Sequence, residues 1–127
     1  MVLNSASPKH RVIQKLLEQA IDETYPPNGT WKCVDMKPEF KGLGPEGEYR
    51  FDLYVRYFCS SGRMSGRYEV YYKIQNDLDE PSFVEKWKFL KSVEDRHCKY
   101  QLIKEGEVPD KWDDMMKYLK DKVVVPW

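Results

Sequence analysis

Two neighbouring stretches alternate apolar and polar residues with opposite parity, and this constrains the fold more than any other feature of the chain. Tyr49, Phe51, Leu53, Val55, Tyr57 and Cys59 occupy odd positions, whereas Tyr68, Val70, Tyr72 and Ile74 occupy even ones. A period of two sends alternate side chains to opposite faces of a strand, so each stretch reads as a strand with one apolar face. Antiparallel neighbours must set apolar against apolar, so paired positions add to an odd number, and a sum of 125 satisfies this. In that register Arg56 lies opposite Glu69, Asp52 opposite Lys73 and Tyr54 opposite Tyr71 on the outer face, with Ser61-Gly62-Arg63-Met64 as the connection.

Helical signals flank this hairpin. Ser7 and Pro8 form a helix start, and Val12, Ile13, Leu16, Leu17, Ala20 and Ile21 recur at helical spacing until Tyr25-Pro26-Pro27 ends the run, which predicts a helix over residues 8–24. Lys9, Arg11, Lys15, Glu18, Asp22 and Glu23 fall on its other side, the mixed charge of a face in water. Near the other end, Val108-Pro109-Asp110 opens a second helix with Trp112, Met115, Met116, Leu119 and Val123 as its apolar stripe.

The remaining segments are read from turn residues and short patterns. Thr30 to Lys37 reads as a strand, and Pro38 to Glu48, with three glycines and two prolines, as a loop. Asn76 to Pro81 is an acidic turn. The stretch 82–94 fits two periods: Phe83, Trp87, Phe89 and Val93 make a strand face, while Ser82 with Glu85 forms a capping box and Phe83, Trp87 and Leu90 fit a helix. We take the strand, returning across Glu94-Asp95-Arg96 into a short strand at Cys98, Tyr100 and Leu102.

The order is then helix, four or five mostly antiparallel strands and helix, with no βαβ alternation calling for a parallel sheet. The fold class is α+β, with the N-terminal helix packed on a curved sheet in the manner of cystatin-like or NTF2-like architectures. At 127 residues the chain reads as a single domain, with 1–6 as a flexible N-terminus and 124–127 as an apolar tail.

Charge and cysteine usage narrow the function classes. The 21 Lys and Arg balance 21 Asp and Glu, so no bulk attraction to nucleic acid or anionic membrane exists and such binding needs a local patch. No stretch approaches the roughly 20 apolar residues that span a bilayer. With an odd count of cysteines (Cys33, Cys59, Cys98), no CxxC spacing and no apolar leader core, the expectation is a soluble, cytoplasmic protein with reduced thiols.

Motifs for catalysis or cofactors do not hold together. Gly42-Leu43-Gly44-Pro45-Glu46-Gly47 matches GxGxxG, but a strand rather than a helix follows it, Pro45 lacks an amide donor and Glu46 repels phosphate, so it reads as a mobile loop. His97 adjoins Cys98, yet strand neighbours point to opposite faces, and Cys59 and Cys98 fall on predicted core faces as packed thiols. Asp113 and Asp114 suit the first turn of a helix, and Asp77, Asp79 and Glu80 suit a turn. No catalytic set, metal set or cofactor is expected. The residual enzyme or ligand-binding reading is an NTF2-like pocket between the first helix and the sheet, with Asp35, His97 or Cys59 reaching inward.

The sharpest signal is arginine. Four of the six arginines, Arg50, Arg56, Arg63 and Arg67, fall in the hairpin, while lysine dominates elsewhere. Arginine presents a planar fork suited to carboxylate, phosphate or aromatic faces, and here it is interleaved with Tyr54, Phe58 and Tyr71. The expectation is a non-enzymatic protein-interaction or assembly module using Arg50, Tyr54, Arg56, Phe58, Arg63, Arg67 and Tyr71, with Trp127 of the tail as a second contact. RNA binding through the same face is the alternative partner reading, and a membrane is not expected.

Overall fold

The computed structural model describes residues 8–44, 47–75 and 81–123. The elements are α1 (Pro8–Thr24), β1 (Trp31–Gly44), β2 (Gly47–Cys59), β3 (Gly66–Gln75), α2 (Pro81–Ser92), β4 (Cys98–Lys104) and α3 (Trp112–Lys122), with single 3-10 turns at Gly62–Met64 and Glu105–Glu107. The four strands form one open sheet in the order β1-β2-β3-β4, antiparallel except for the β3/β4 pair. This is an α+β fold.

The expected hairpin register is present. Leu53 pairs with Tyr72, Tyr54 with Tyr71, Val55 with Val70 and Arg56 with Glu69, down to Cys59 opposite Gly66. One face of these strands carries Leu53, Val55, Tyr57, Cys59, Tyr68, Val70, Tyr72 and Ile74, all buried against α1 and α3. From α1 come Ile13, Leu16, Leu17, Ala20 and Ile21, and from α3 Met115 and Leu119. Lys9 pairs with Asp110 at 2.8 Å and Glu23 with Lys120 at 2.8 Å, so α1 and α3 lie side by side with the same direction. Buried tyrosines find partners here: Tyr57 and Tyr72 share a 2.8 Å hydroxyl–hydroxyl bond, and the Tyr25 hydroxyl donates to the Val123 carbonyl at 2.6 Å.

Several expectations are corrected. The stretch 82–94 is not a strand: Pro81 to Ser92 forms α2, with Phe83 and Trp87 stacked at 6.0 Å one helical turn apart. Phe83 and Trp87 are four residues apart, a spacing common to both periods, so the pattern did not separate them; the uncovered aromatic face of the sheet decides for the helix. With a helix between them, β4 returns parallel to β3, from Glu69 opposite Cys98 to Gln75 opposite Lys104, so one βαβ crossover exists after all. Pro38 to Gly44 is not a loop but the continuation of β1, where an edge strand tolerates a proline that lacks an amide donor. Pro45 and Glu46 lie outside the described residues, as do residues 1–7, read as a flexible N-terminus over 1–6 with Ser7 at the helix start, residues 124–127, read as an apolar tail, and all of the expected acidic turn Asn76 to Pro81 except Pro81, which belongs to α2. Finally, Trp112 does not join the α3 stripe; it is 59% exposed in the first turn.

The alternation in β2 conceals a reversal. Tyr49 and Phe51 continue the odd-numbered pattern, yet they pack on the opposite face from Leu53, in a second cluster with Leu90, Trp87 and Phe89 of α2. The β1/β2 ladder passes over Glu39 and Asp52, and Glu39 takes a left-handed φ of 53°, so both strands turn their faces over at that point. Asp52 therefore does not face outward opposite Lys73. Its carboxylate accepts from the Ile74 amide at 2.6 Å and from His10 Nε2 at 2.8 Å, and its carbonyl accepts from Gln14 at 3.2 Å. One side chain thus closes the gap where β2 leaves β3 and ties both to the start of α1.

Both sheet edges are blunted. Along β1 a bulge at Val34 shifts the register, and Pro38 follows it. Along β4, Glu94 accepts from the Tyr100 amide at 2.7 Å while Lys91 donates to the Tyr100 carbonyl at 3.2 Å, and the two side chains pair at 3.0 Å. Asp95 accepts from the Cys98 amide at 2.9 Å. Side chains thereby occupy the Cys98 amide and both backbone groups of Tyr100, in the first half of the edge that an added strand would use.

Candidate functional site

The face of the sheet turned away from α1 carries a row of rings across all four strands. Phe40 stacks on Tyr54 at 4.8 Å, Tyr54 lies 4.8 Å from Tyr71, and Tyr71 stacks on Tyr100 at 5.1 Å. Trp87 of α2 meets Tyr100 edge-on at 6.5 Å. Each such pair contributes about 0.5–1.5 kcal/mol beyond its buried area, so the row is rigid. Burial raises the hydroxyl pKa values of Tyr54, Tyr71 and Tyr100. For Tyr71, burial followed by the charge of Glu69 brings it to about 12, so this ring is neutral at physiological pH.

Beyond this row the outer face opens into a groove of about 600 Å³, lined by Val34, Arg56, Phe58, Arg67, Glu69, Asp95, His97 and Cys98 and by parts of Tyr57 and Tyr68. None of the described side chains of α2 lines it. The hydrophobic part is Val34, 52% exposed because the β1 bulge turns it outward, together with the half-buried Phe58. Lys32 sits over the Phe58 ring at 5.7 Å.

The ionic groups of the groove are nearly all committed. Arg56 lies opposite Glu69, as the register predicts, but its guanidinium turns to Asp35 of β1 at 3.3 Å. Glu69 instead accepts the Tyr54 hydroxyl at 2.5 Å. Asp95 accepts the His97 and Cys98 amides at 2.7 and 2.9 Å. His97 stacks on Tyr68 at 4.7 Å, and its Nδ1 lies 2.9 Å from the Arg67 carbonyl, which can only accept, so Nδ1 carries the proton. The guanidinium of Arg67 has no acidic partner among the described residues.

Of the residues singled out from sequence, Arg56, Phe58 and Arg67 meet in the groove, and Tyr54 and Tyr71 form the ring row beside it. Arg50 is elsewhere, paired with Glu48 at 2.8 Å. Arg63 lies in the turn at the hairpin end, where its carbonyl accepts from Arg96 at 2.9 Å. Trp127 lies outside the described residues. Sequence reasoning missed Val34, Glu69, Asp95, His97 and Cys98 as groove residues. Cys98 was assigned to the core, but the parallel return of β4 sets it half-buried in the groove, where desolvation raises its thiol pKa.

The three groups proposed for a pocket beneath the first helix do not converge. Asp35 holds Arg56, His97 packs on Tyr68 at the start of β4, and Cys59 is fully buried in the core. Among the described residues no three His, Cys, Asp or Glu side chains come together as a metal set, and no helix is long and apolar enough to cross a membrane. The fold and groove define an α+β protein with an open, partly apolar surface cleft of mixed charge. No family model, curated protein or solved structure matches the chain.

Proposed function

We propose that this chain is a non-enzymatic protein-binding module that receives a short segment of its partner in the outer-face groove. The observation that carries this reading is the joint exposure of Val34 and of Arg67, whose guanidinium has no acidic partner among the described residues, within one concave site on a rigid sheet. An apolar contact beside an arginine is the make-up of an interface hot spot, and the volume falls within the range of about 300–1,000 Å³ typical of ligand pockets. Recognition is through side chains, because a bulge and Pro38 interrupt the β1 edge and side chains occupy the Cys98 and Tyr100 groups of the β4 edge, which disfavours an added strand.

Mixed charge favours a protein over RNA. Glu69 and Asp95 stand in the same lining as Arg56 and Arg67, so a polyanion would meet two carboxylates there.

The test is site-specific crosslinking in nuclease-treated native extract, with a photoreactive residue at position 34 and, as control, at exposed position 112. A discrete protein adduct from position 34, absent at 112 and lost with Arg56→Ala and Arg67→Ala together, is the expected result. Equal labelling from both positions refutes the reading, and capture that vanishes with nuclease or falls steeply with salt replaces it with RNA binding.

A further inference from the structure

Resting on that reading, we infer that the groove selects a partner segment in which a carboxylate side chain neighbours an aliphatic or aromatic one, the acid meeting Arg67 and the apolar group covering Val34 and Phe58. The partners of each ionic group lead to this occupant. Of the ionic groups in the lining, Arg56 is held by Asp35, Glu69 by the Tyr54 hydroxyl, and Asp95 by two backbone amides. Arg67 is the one ionic side chain of the lining whose charged group has neither a hydrogen bond nor an ion pair among the described residues, and its backbone is fixed by pairing with Phe58 and by the bond from His97.

The same lining argues against a phosphate. Glu69 and Asp95 belong to the same lining, so a dianion near Arg67 meets two carboxylates with twice the charge of a monoanion. A basic segment would find the Glu69 and Asp95 carboxylates already accepting from the Tyr54 hydroxyl and two backbone amides, and would leave Arg67 facing a like charge. A wholly apolar segment would cover Val34 and Phe58 but would strip water from the guanidinium without replacing it, which costs binding energy.

The experiment is selection of random peptides displayed on phage against the folded full chain, comparing wild type, Arg67→Ala and Arg67→Glu, followed by affinities of synthetic peptides. Arg67 is exposed, so the variants are expected to unfold at the wild-type urea concentration, which is checked first. Wild type is expected to enrich Asp or Glu within two residues of an aliphatic or aromatic residue. Replacing that acid with its amide should weaken binding about tenfold, the scale of one charge-assisted hydrogen bond. Arg67→Ala should erase that difference and Arg67→Glu should select Lys or Arg instead.

Enrichment of apolar residues alone, an acid preference that survives Arg67→Glu, or stronger binding of phosphoserine than of glutamate overturns the inference while the crosslink from position 34 still supports the groove. Failure to enrich any peptide, together with no crosslink, removes both.

Discussion

Replacing Asp52 with alanine is expected to be among the most damaging polar substitutions in this protein, because one carboxylate completes the sheet and anchors a helix. It accepts the Ile74 amide at 2.6 Å and His10 at 2.8 Å, and its side chain is only 14% exposed. Leaving the Ile74 amide unpaired costs about 1–3 kcal/mol, and losing the hydrogen bond from His10 adds about 1 kcal/mol or more. The sum is roughly 3 kcal/mol against a total stability of about 5–15 kcal/mol for a domain of this kind. With a urea dependence near 1.5 kcal/mol/M, the unfolding midpoint should fall by about 2 M.

The pH dependence separates the two parts. The hydrogen bond to Asp52 is the largest cause raising the His10 pKa above its ordinary 6.5, outweighing desolvation, with Glu105 assisting and Lys73 opposing. A raised folded value means that this part of the stability is complete below pH 6.5 and disappears as pH rises through the folded pKa. Asp52→Ala should therefore cost more at pH 6 than at pH 9, while the Ile74 part persists at both. Asp52→Asn, which keeps one acceptor, should recover part of the loss, and His10→Ala should reproduce only the pH-dependent part. A loss below about 0.5 kcal/mol for Asp52→Ala, or one independent of pH, would show that the carboxylate does not act in this way.

The other expectations concern the edge and the thiols. Lys91→Ala combined with Glu94→Ala should expose the Tyr100 amide and carbonyl on β4 and promote concentration-dependent self-association, seen as a rising sedimentation coefficient; a strictly monomeric double variant would refute the blocking role. Burial pushes the Cys33 thiol up to about 11, leaving roughly one part in a thousand as thiolate at pH 8. With Cys98 also raised and Cys59 fully buried, iodoacetamide should label all three quickly only after unfolding, and fast modification of the native protein by mass spectrometry would contradict this.

Much of the central hairpin was legible because its two strands carry long alternations of opposite parity, which admit few registers. Lateral relations were not. Arg56 was placed opposite Glu69 correctly, but its ion pair with Asp35 depends on a bulge at Val34 that no local pattern announces. The reversal at Asp52 is hidden because apolar residues continue at odd positions on both sides of it, while the face they address changes. The groove follows the same rule: Arg56, Phe58 and Arg67 belong to the hairpin and could be grouped from sequence, whereas Asp95, His97 and Cys98 join it only through the parallel return of β4 behind a helix whose aromatic spacing also suited a strand.

The reversal in β2 also has a consequence for how the molecule comes apart. A strand whose first half is embedded under α2 and whose second half is embedded under α1 and α3 acts as a shared axle: neither layer can detach without loosening the other's seat. Amide hydrogen exchange at Phe51 and Val55 should then report the same opening event although their side chains occupy opposite layers. A wobble introduced beneath one layer is felt in the other, which leaves the groove on a platform that moves as one body.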